Sequence, residues 1–345
     1  MPLPFNHAAS LPLAAYHLEP PVELFALGEA SLNNEVVGVH TDAGDFVAKT
    51  YTSSTDLDSI HYEHRLLIWL ANTGLSFAVP VPLPARDATL LQQGPHGWMA
   101  LTHLLPGVCP EFRQPAMQQH PTTLAHAKLL GKAVGELQAV LQPYPRLPRP
   151  GRNLFSDLFH FPPVDRNPFT LTPAQAGFPD ALAETLAWWR AEATQLQAFV
   201  DGSYALLPQQ VCHNDVSPAN VLVDAGRLSA VLDFEFATVA PRALDVAMGL
   251  RMTTQVWHNP EPWDLARHFC RGYRQFIRMT EAEVLALPHL MRLRTAIPFL
   301  WWLGRTRTSG DITRLPKALD NLQNLVHWLD RHEQQLVDVV MQEVA

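Results

Sequence analysis

Residues 211–224 read Val211-Cys-His-Asn-Asp-Val-Ser-Pro-Ala-Asn-Val-Leu-Val-Asp224, and residues 232–236 read Leu232-Asp-Phe-Glu-Phe236. His213, Asp215, Asn220 and Asp233 recur among apolar neighbours that alone would read as buried strand. Polar and charged groups in such surroundings cost free energy unless something charged or hydrogen-bonding meets them. The pattern predicts a loop carrying Asp215, a strand over 220–223, a turn at Asp224-Ala-Gly226 and a return strand over 228–232 that ends at Asp233. A hairpin of this kind brings Asn220 and Asp233 side by side. Their oxygens are the hard donors that Mg²⁺ prefers, and Asp215 beside them is placed to take the proton of an attacking hydroxyl. The plainer alternative is a loop in which Asp215 caps, Asn220 turns and Asp233 ends a strand.

Upstream of this segment the chain alternates between two patterns. Residues 9–18 predict a short helix. Residues 22–28, 35–40 and 45–51 are short Val- and Phe-bearing runs broken by Asn33-Asn34 and Asp42-Ala-Gly44, as in antiparallel strands joined by tight turns. A helix begins near Asp56, runs to Asn72 and ends at Gly74. Ile60, Leu67 and Leu70 form its apolar stripe, with Glu63 on the same face. Two more strands are expected at 88–92 and 97–104. Beyond Pro121 the pattern turns helical, with Ala127, Leu130, Val134, Leu137 and Leu141 at helical spacing. Nine prolines within 143–179 predict an irregular loop. Helices follow at 180–199, 262–278, 281–305 and 316–342, so the opening segment is a β-rich island in an otherwise helical region.

Size fits this division, since 345 residues exceed a usual single core. The expected fold is α+β with two lobes, a small β-rich N-terminal lobe over 1–107 and a larger, mainly helical C-terminal lobe over 108–345. With 47% hydrophobic and 17% charged residues the chain is globular, and a net charge of -8 without any basic cluster argues against nucleic acid. Three widely spaced cysteines, an N-terminus without a signal-like pattern and the lack of a long apolar run predict a cytoplasmic protein with no membrane span. The sixteen histidines show no metal-ligand spacing. Trp188-Trp189 and Trp301-Trp302 could wall an amine pocket, yet adjacent helical residues diverge by about 100°, and core packing is the favoured role.

His213-Asn-Asp-Val-Ser-Pro-Ala-Asn-Val-Leu222 followed by Val231-Leu-Asp-Phe-Glu-Phe236 resembles the signature of the aminoglycoside phosphotransferase and choline kinase superfamily. Within it, the stretch Gly226-Arg-Leu-Ser-Ala-Val-Leu-Asp-Phe-Glu-Phe-Ala237, Leu244-Asp-Val-Ala247 and Ala296-Ile-Pro-Phe-Leu-Trp-Trp-Leu303 are similar to the type II homoserine kinase group. The resemblance implies a protein-kinase-like fold and an ATP- and Mg²⁺-dependent transfer to a small-molecule hydroxyl. Homoserine is the leading acceptor, with an aminoglycoside, choline, ethanolamine or another amino alcohol as alternatives. A catalytically silent ligand-binding protein of the same fold is the reading from another class.

By the same resemblance Asp215 is the catalytic base, and Asn220 and Asp233 are metal ligands. Lys49 holds the α- and β-phosphates of ATP, and Glu63 holds Lys49. The stretch Leu27-Gly-Glu-Ala-Ser-Leu-Asn-Asn34 takes the place of the phosphate-covering loop but has only one glycine, so Ser31, Asn33 and Asn34 would supply its hydrogen bonds. Thr102, His103 and Leu104 would meet adenine through their backbones, with Pro106-Gly107 as a hinge. Asn214 and Glu235 stand where glycine is usual, His213 holds the catalytic loop, and Asp245 braces it.

Overall fold

The computed structural model describes residues 11–18, 22–27, 34–52, 56–110, 112, 121–151, 155–158, 183–256, 259, 261–309 and 313–344. The chain divides into two compact units. The first is Met1–Val108 with Arg149–Gly151 and Leu222–Glu235, and the second is Cys109–Pro148, Arg152–Val221 and Phe236–Ala345.

The first unit is built on a five-stranded antiparallel sheet. Its strands are β1 Glu23–Phe25, β2 Glu35–Thr41, β3 Gly44–Tyr51, β4 Gln92–Gly94 and β5 Gly97–His103, in the order β1-β2-β3-β5-β4. Strict alternation makes β3 two-sided: Phe46, Ala48 and Thr50 are buried on one face, while Val47 and Lys49 lie on the other. Phe46 and Ala48 join Tyr16, Val39, Ala85, Met99 and Leu101 in one core cluster, whereas Tyr51 packs with Ile60, Leu91 and Ala100 in another. Ile60 comes from α1 Leu57–Ala71, whose start is set by Asp56, the side chain of which accepts the Asp58 N–H at 3.0 Å.

Two local expectations need correction. Within 11–18 there is no α-helix but a single 3-10 turn, Leu13–Ala15, preceded by Pro12, which lacks the N–H a longer helix would use. The strand expected at 88–92 forms instead at Gln92–Gly94. Asp87 ties Thr89 and Gln92 into a turn, and Ala88 adopts a φ of 64°.

The hairpin expected from the sequence is present as β7 Val221–Asp224 and β8 Arg227–Val231. Ala225 and Gly226 join them with φ of 46° and 72°, the paired left-handed conformations of a tight hairpin turn. Leu222–Glu235 belongs to the first unit because its backbone is hydrogen-bonded there. The Ala78 N–H donates to Ser229 O and Ala78 O accepts from Val231 N–H, while Val108 exchanges both bonds with Val223. A division at residue 107 leaves this stretch and Arg149–Gly151 out.

The second unit holds α2 Pro121–Leu141, α3 Ala183–Asp201, α4 Ala243–Thr254, α5 Trp263–Tyr273, α6 Glu281–Ser309 and α7 Leu315–Val344. A two-stranded ribbon pairs β6 Gln209–Cys212 with β9 Thr238–Pro241. α2 packs on α5, and α6 packs on α4 and α7. The α2–α5 approach depends on glycine. A Cβ at Gly131 would lie 1.9 Å from Phe269 O, and one at Gly272 would lie 2.0 Å from Lys128 O. Trp189 is fully buried with its ring edge-on to Phe299, in keeping with a core role. No helix among the described residues is long and apolar enough to cross a membrane.

Candidate active site

The first unit gathers the expected strand lysine and helix glutamate. Lys49 Nζ donates to Glu63 Oε1 at 3.1 Å and to Asp233 Oδ1 at 3.3 Å. β3 points Lys49 away from the face that carries Phe46, and the periodicity of α1 turns Glu63 inward to meet it. Burial works against the Lys49 ammonium, but the carboxylates of Glu63 and Asp233 override it and hold its pKa well above the usual lysine value. Burial likewise disfavours the Glu63 carboxylate, yet Lys49 and Arg149 bring its pKa down to about 2.

Arg149 is a member of this cluster that sequence reasoning missed. Its guanidinium donates through Nη2 to Glu63 Oε2 at 3.0 Å, through Nε to Ser59 Oγ at 2.8 Å and through Nη1 to Phe234 O at 2.9 Å. It therefore fixes Glu63 and also the backbone next to Asp233. The residue lies in a proline-rich stretch without periodicity, where no pattern marks a buried arginine.

In the second unit β6 leads into the loop that carries Asp215. Asp245, at the start of α4, accepts the N–H groups of His213 at 3.0 Å and Asn214 at 2.6 Å, which is the bracing expected of it. His213 Nδ1 accepts the Asp215 N–H at 3.1 Å, so the histidine holds the loop. Asn214 has a φ of 66°, a left-handed conformation that asparagine tolerates better than most residues, and this explains how it can stand in a glycine's place. Both oxygens of Asp215 are engaged: Oδ2 by Asn220 Nδ2 at 2.9 Å and Oδ1 by Arg294 Nη2 at 2.6 Å. Arg294, on α6, is the second residue of the cluster that the sequence did not single out.

Asn220 ends a 3-10 turn, Pro218–Asn220, just before β7, and is not itself in the strand. It belongs to the second unit and Asp233 to the first. Two bonds from Nδ2, to Asp215 O and Oδ2, orient the Asn220 amide and leave its oxygen as the atom to offer a ligand. An amide oxygen and a carboxylate oxygen are each of the hard donor type that Mg²⁺ takes.

The remaining expected residues divide into three groups. Ser31 and Asn33 lie outside the described residues. The side-chain amide of Asn34 donates to Glu235 Oε2 at 2.6 Å, so the glutamate meets the end of the segment expected to cover phosphate. Along the expected connector, the Leu104 N–H is already donated to Asp45 O at 3.0 Å. In the antiparallel register this pair alternates with Phe46–His103, which directs the His103 backbone groups away from β3 and Thr102 back toward Val47. Pro106 O accepts Ser229 Oγ at 2.6 Å, and Gly107, with φ of 119°, leaves no room for a Cβ beside Ser229 and Val223.

The model of the phosphotransferase enzyme family matches residues 28–287, which span Lys49, Glu63, the Asp215 loop and Asp233. This chain belongs to that family. Among relatives of this phosphotransferase, the homoserine kinase of Rhizobium meliloti (strain 1021) is 28% identical over 284 residues, covering 81% of this chain and 78% of that protein. A microcompartment-associated aminopropanol kinase has a similar structure, with a TM-score of 0.67 at 18% identity over 94% of this chain and 96% of that one. The amicoumacin kinase hAmiN, solved with AMP-PNP, Ca²⁺ and Ami, gives 0.63 at 16% identity over 90% and 91%. These structural likenesses give the phosphotransferase its protein-kinase-like fold.

Proposed function

We propose that this phosphotransferase uses ATP and Mg²⁺ to phosphorylate the hydroxyl of a small amino acid alcohol, with homoserine as the acceptor. The observation that carries the reading is the Asp215 carboxylate, fixed through both oxygens on a loop braced by Asp245 and His213. A carboxylate so restrained is oriented to accept a proton at the moment the acceptor oxygen attacks. Relatives named homoserine kinase, at 28% identity, support this acceptor over the other amino alcohols.

Each residue has one task in this mechanism. Lys49, kept charged by Glu63 and Asp233, directs its ammonium at the phosphate oxygens of ATP. Arg149 prevents Glu63 from turning away from Lys49. Asn220 and Asp233 would hold Mg²⁺, which when bound neutralises charge on the transferring phosphoryl group. Asp215 accepts the hydroxyl proton, and Asn34 and Glu235 shape the phosphate end of the nucleotide site together with Ser31 and Asn33. The backbones of Thr102, His103 and Leu104 border adenine, and the register favours His103 as its hydrogen-bonding partner. Residues 1–107, joined by Arg149–Gly151 and Leu222–Glu235, supply the nucleotide lobe, and the rest of residues 108–345 supply the catalytic and acceptor lobe. The three free cysteines suit a cytoplasmic setting.

The deciding experiment measures ADP release from ATP and Mg²⁺ over L-homoserine, choline, ethanolamine and several aminoglycosides. Turnover with L-homoserine alone is expected. Turnover with another acceptor would keep the mechanism and replace the substrate, and silence across the panel would count against the enzymatic reading itself.

A further inference from the structure

Lys49 and Tyr51 stand two apart on β3, so strand alternation puts both side chains on the sheet face that meets α1. The Lys49 ammonium lies over the Tyr51 ring, 5.0 Å from its centre, within the range of a cation–π attraction. The Tyr51 hydroxyl lies 3.4 Å from Glu63 Oε1, the oxygen that also takes Lys49, and 3.1 Å from His64 Nε2. Tyr51 thus meets the lysine through its ring and the lysine's partner through its hydroxyl.

The direction of these bonds follows from where the protons are. Burial, reinforced by the Glu63 charge, raises the Tyr51 phenol well above its usual pKa, so it keeps a proton to donate. Burial lowers the pKa of His64 to about 4, so its ring is neutral and carries one N–H. His64 Nδ1 is buried and meets no partner among the described residues. Orphaned N–H groups are rarer in folded proteins than under-used acceptors, which assigns the ring proton to Nε2. His64 then donates to the Tyr51 oxygen, and the Tyr51 O–H is left for Glu63 Oε1.

We propose that Tyr51 is a positioning residue for Lys49: its ring bounds the ammonium, and its hydroxyl, directed by His64, holds Glu63 Oε1 against it, so that the lysine meets phosphate in one orientation. A charge held in place beforehand stabilises phosphate oxygens without having to reorganise. Donors linked in series, as from His64 through Tyr51 to Glu63, also strengthen one another. The inference rests on the reading of Lys49 as the phosphate anchor and adds what keeps that anchor aimed.

The test is calorimetric titration with ATP and Mg²⁺, and separately with adenosine, which has no phosphate for Lys49 to meet. Tyr51→Phe keeps the ring and loses the hydroxyl, whereas Tyr51→Leu loses both. Tyr51→Phe should weaken ATP binding by about threefold to tenfold, the scale of one hydrogen bond, and Tyr51→Leu should weaken it further. Adenosine binding should stay within about twofold of the wild type in both variants, and Tyr51→Phe added to Lys49→Met should change ATP binding by less than about twofold. An equal loss for ATP and adenosine, or a loss that persists beside Lys49→Met, would make Tyr51 a packing residue and overturn the proposal. ATP binding unchanged by Tyr51→Phe would overturn it too, while the anchor reading survived. If Lys49→Met bound ATP as tightly as the wild type, or the wild type bound none, the anchor reading itself would fall and take the proposal with it. Adenosine binding also reports an intact fold, and Lys49→Gln replaces Lys49→Met should the latter lose it.

Discussion

Glu63 shares one carboxylate between two cations, Lys49 on Oε1 and Arg149 on Oε2, with almost no exposure to water. Removing one partner of such a buried set leaves charge uncompensated, so Arg149→Met should destabilise the protein by about 3–5 kcal/mol in urea unfolding. A loss below about 1 kcal/mol would show that Glu63 does not depend on the clamp. The same surroundings set a pH dependence. Glu63 has a folded pKa near 2 against an ordinary 4.5, so its contribution is complete above 4.5 and is lost as the pH falls toward 2. Burial pushes the neighbouring His64 down from 6.5 to about 4, so the neutral ring stabilises the fold above 6.5 and that contribution drains away through pH 4. The thermal midpoint should therefore decline from pH 6.5 and more steeply below 4.5, and His64→Gln should flatten only the upper part of that curve. Lys49 and Glu63 were legible because each sits in a strongly periodic element. Arg149 and Arg294 were not, because their partners lie 86 and 79 residues away and nothing local records such a pairing.

Among elements, a clear period made several legible, and its absence hid α4. β2, β3, α1 and α2 alternate or repeat, and their observed ends lie close to the expected ones. α4 was absent from the expected helices because eleven of its twelve residues are buried, Met252 being the exception, so no polar face gave it a period. The tight approach of α2 to α5 is equally silent in a one-dimensional pattern, since a glycine there looks like a weak helix former. Its requirement is steric: Gly131→Ala would drive a methyl into the Phe269 carbonyl. The substitution should cost about 1–3 kcal/mol or more despite the better helix propensity of alanine, measured as a shift in the denaturant midpoint. A stabilised Gly131→Ala protein would mean that the two helices can move apart freely.

For the molecule as a whole, nucleotide binding should appear as stability. Ligand at about 100 times its Kd adds about 2.7 kcal/mol to a fold that alone binds it. Mg²⁺ and ATP together should raise the melting temperature of the wild type, and Asp215→Asn should keep that rise while abolishing ADP release. Asp233→Ala should lose most of the rise. A fully active Asp215→Asn protein would remove Asp215 from the role of base. Fold class and reaction type could be read from the segment around Asp215, where motif and spacing are local. The grouping of the chain into units could not, because it depends on backbone pairing between distant stretches.

That grouping has a consequence for the order in which the protein is made. All five strands of the N-terminal sheet are synthesised by residue 103, yet the unit that contains them also needs Leu222–Glu235. The amide of Ala78, both backbone groups of Val108 and the ammonium of Lys49 wait for partners that emerge more than a hundred residues later. During translation the first half of the molecule therefore stays unfinished until the second half is well advanced. A nonsense codon or proteolytic cut ahead of residue 222 would release a fragment with a whole sheet and no means of closing it.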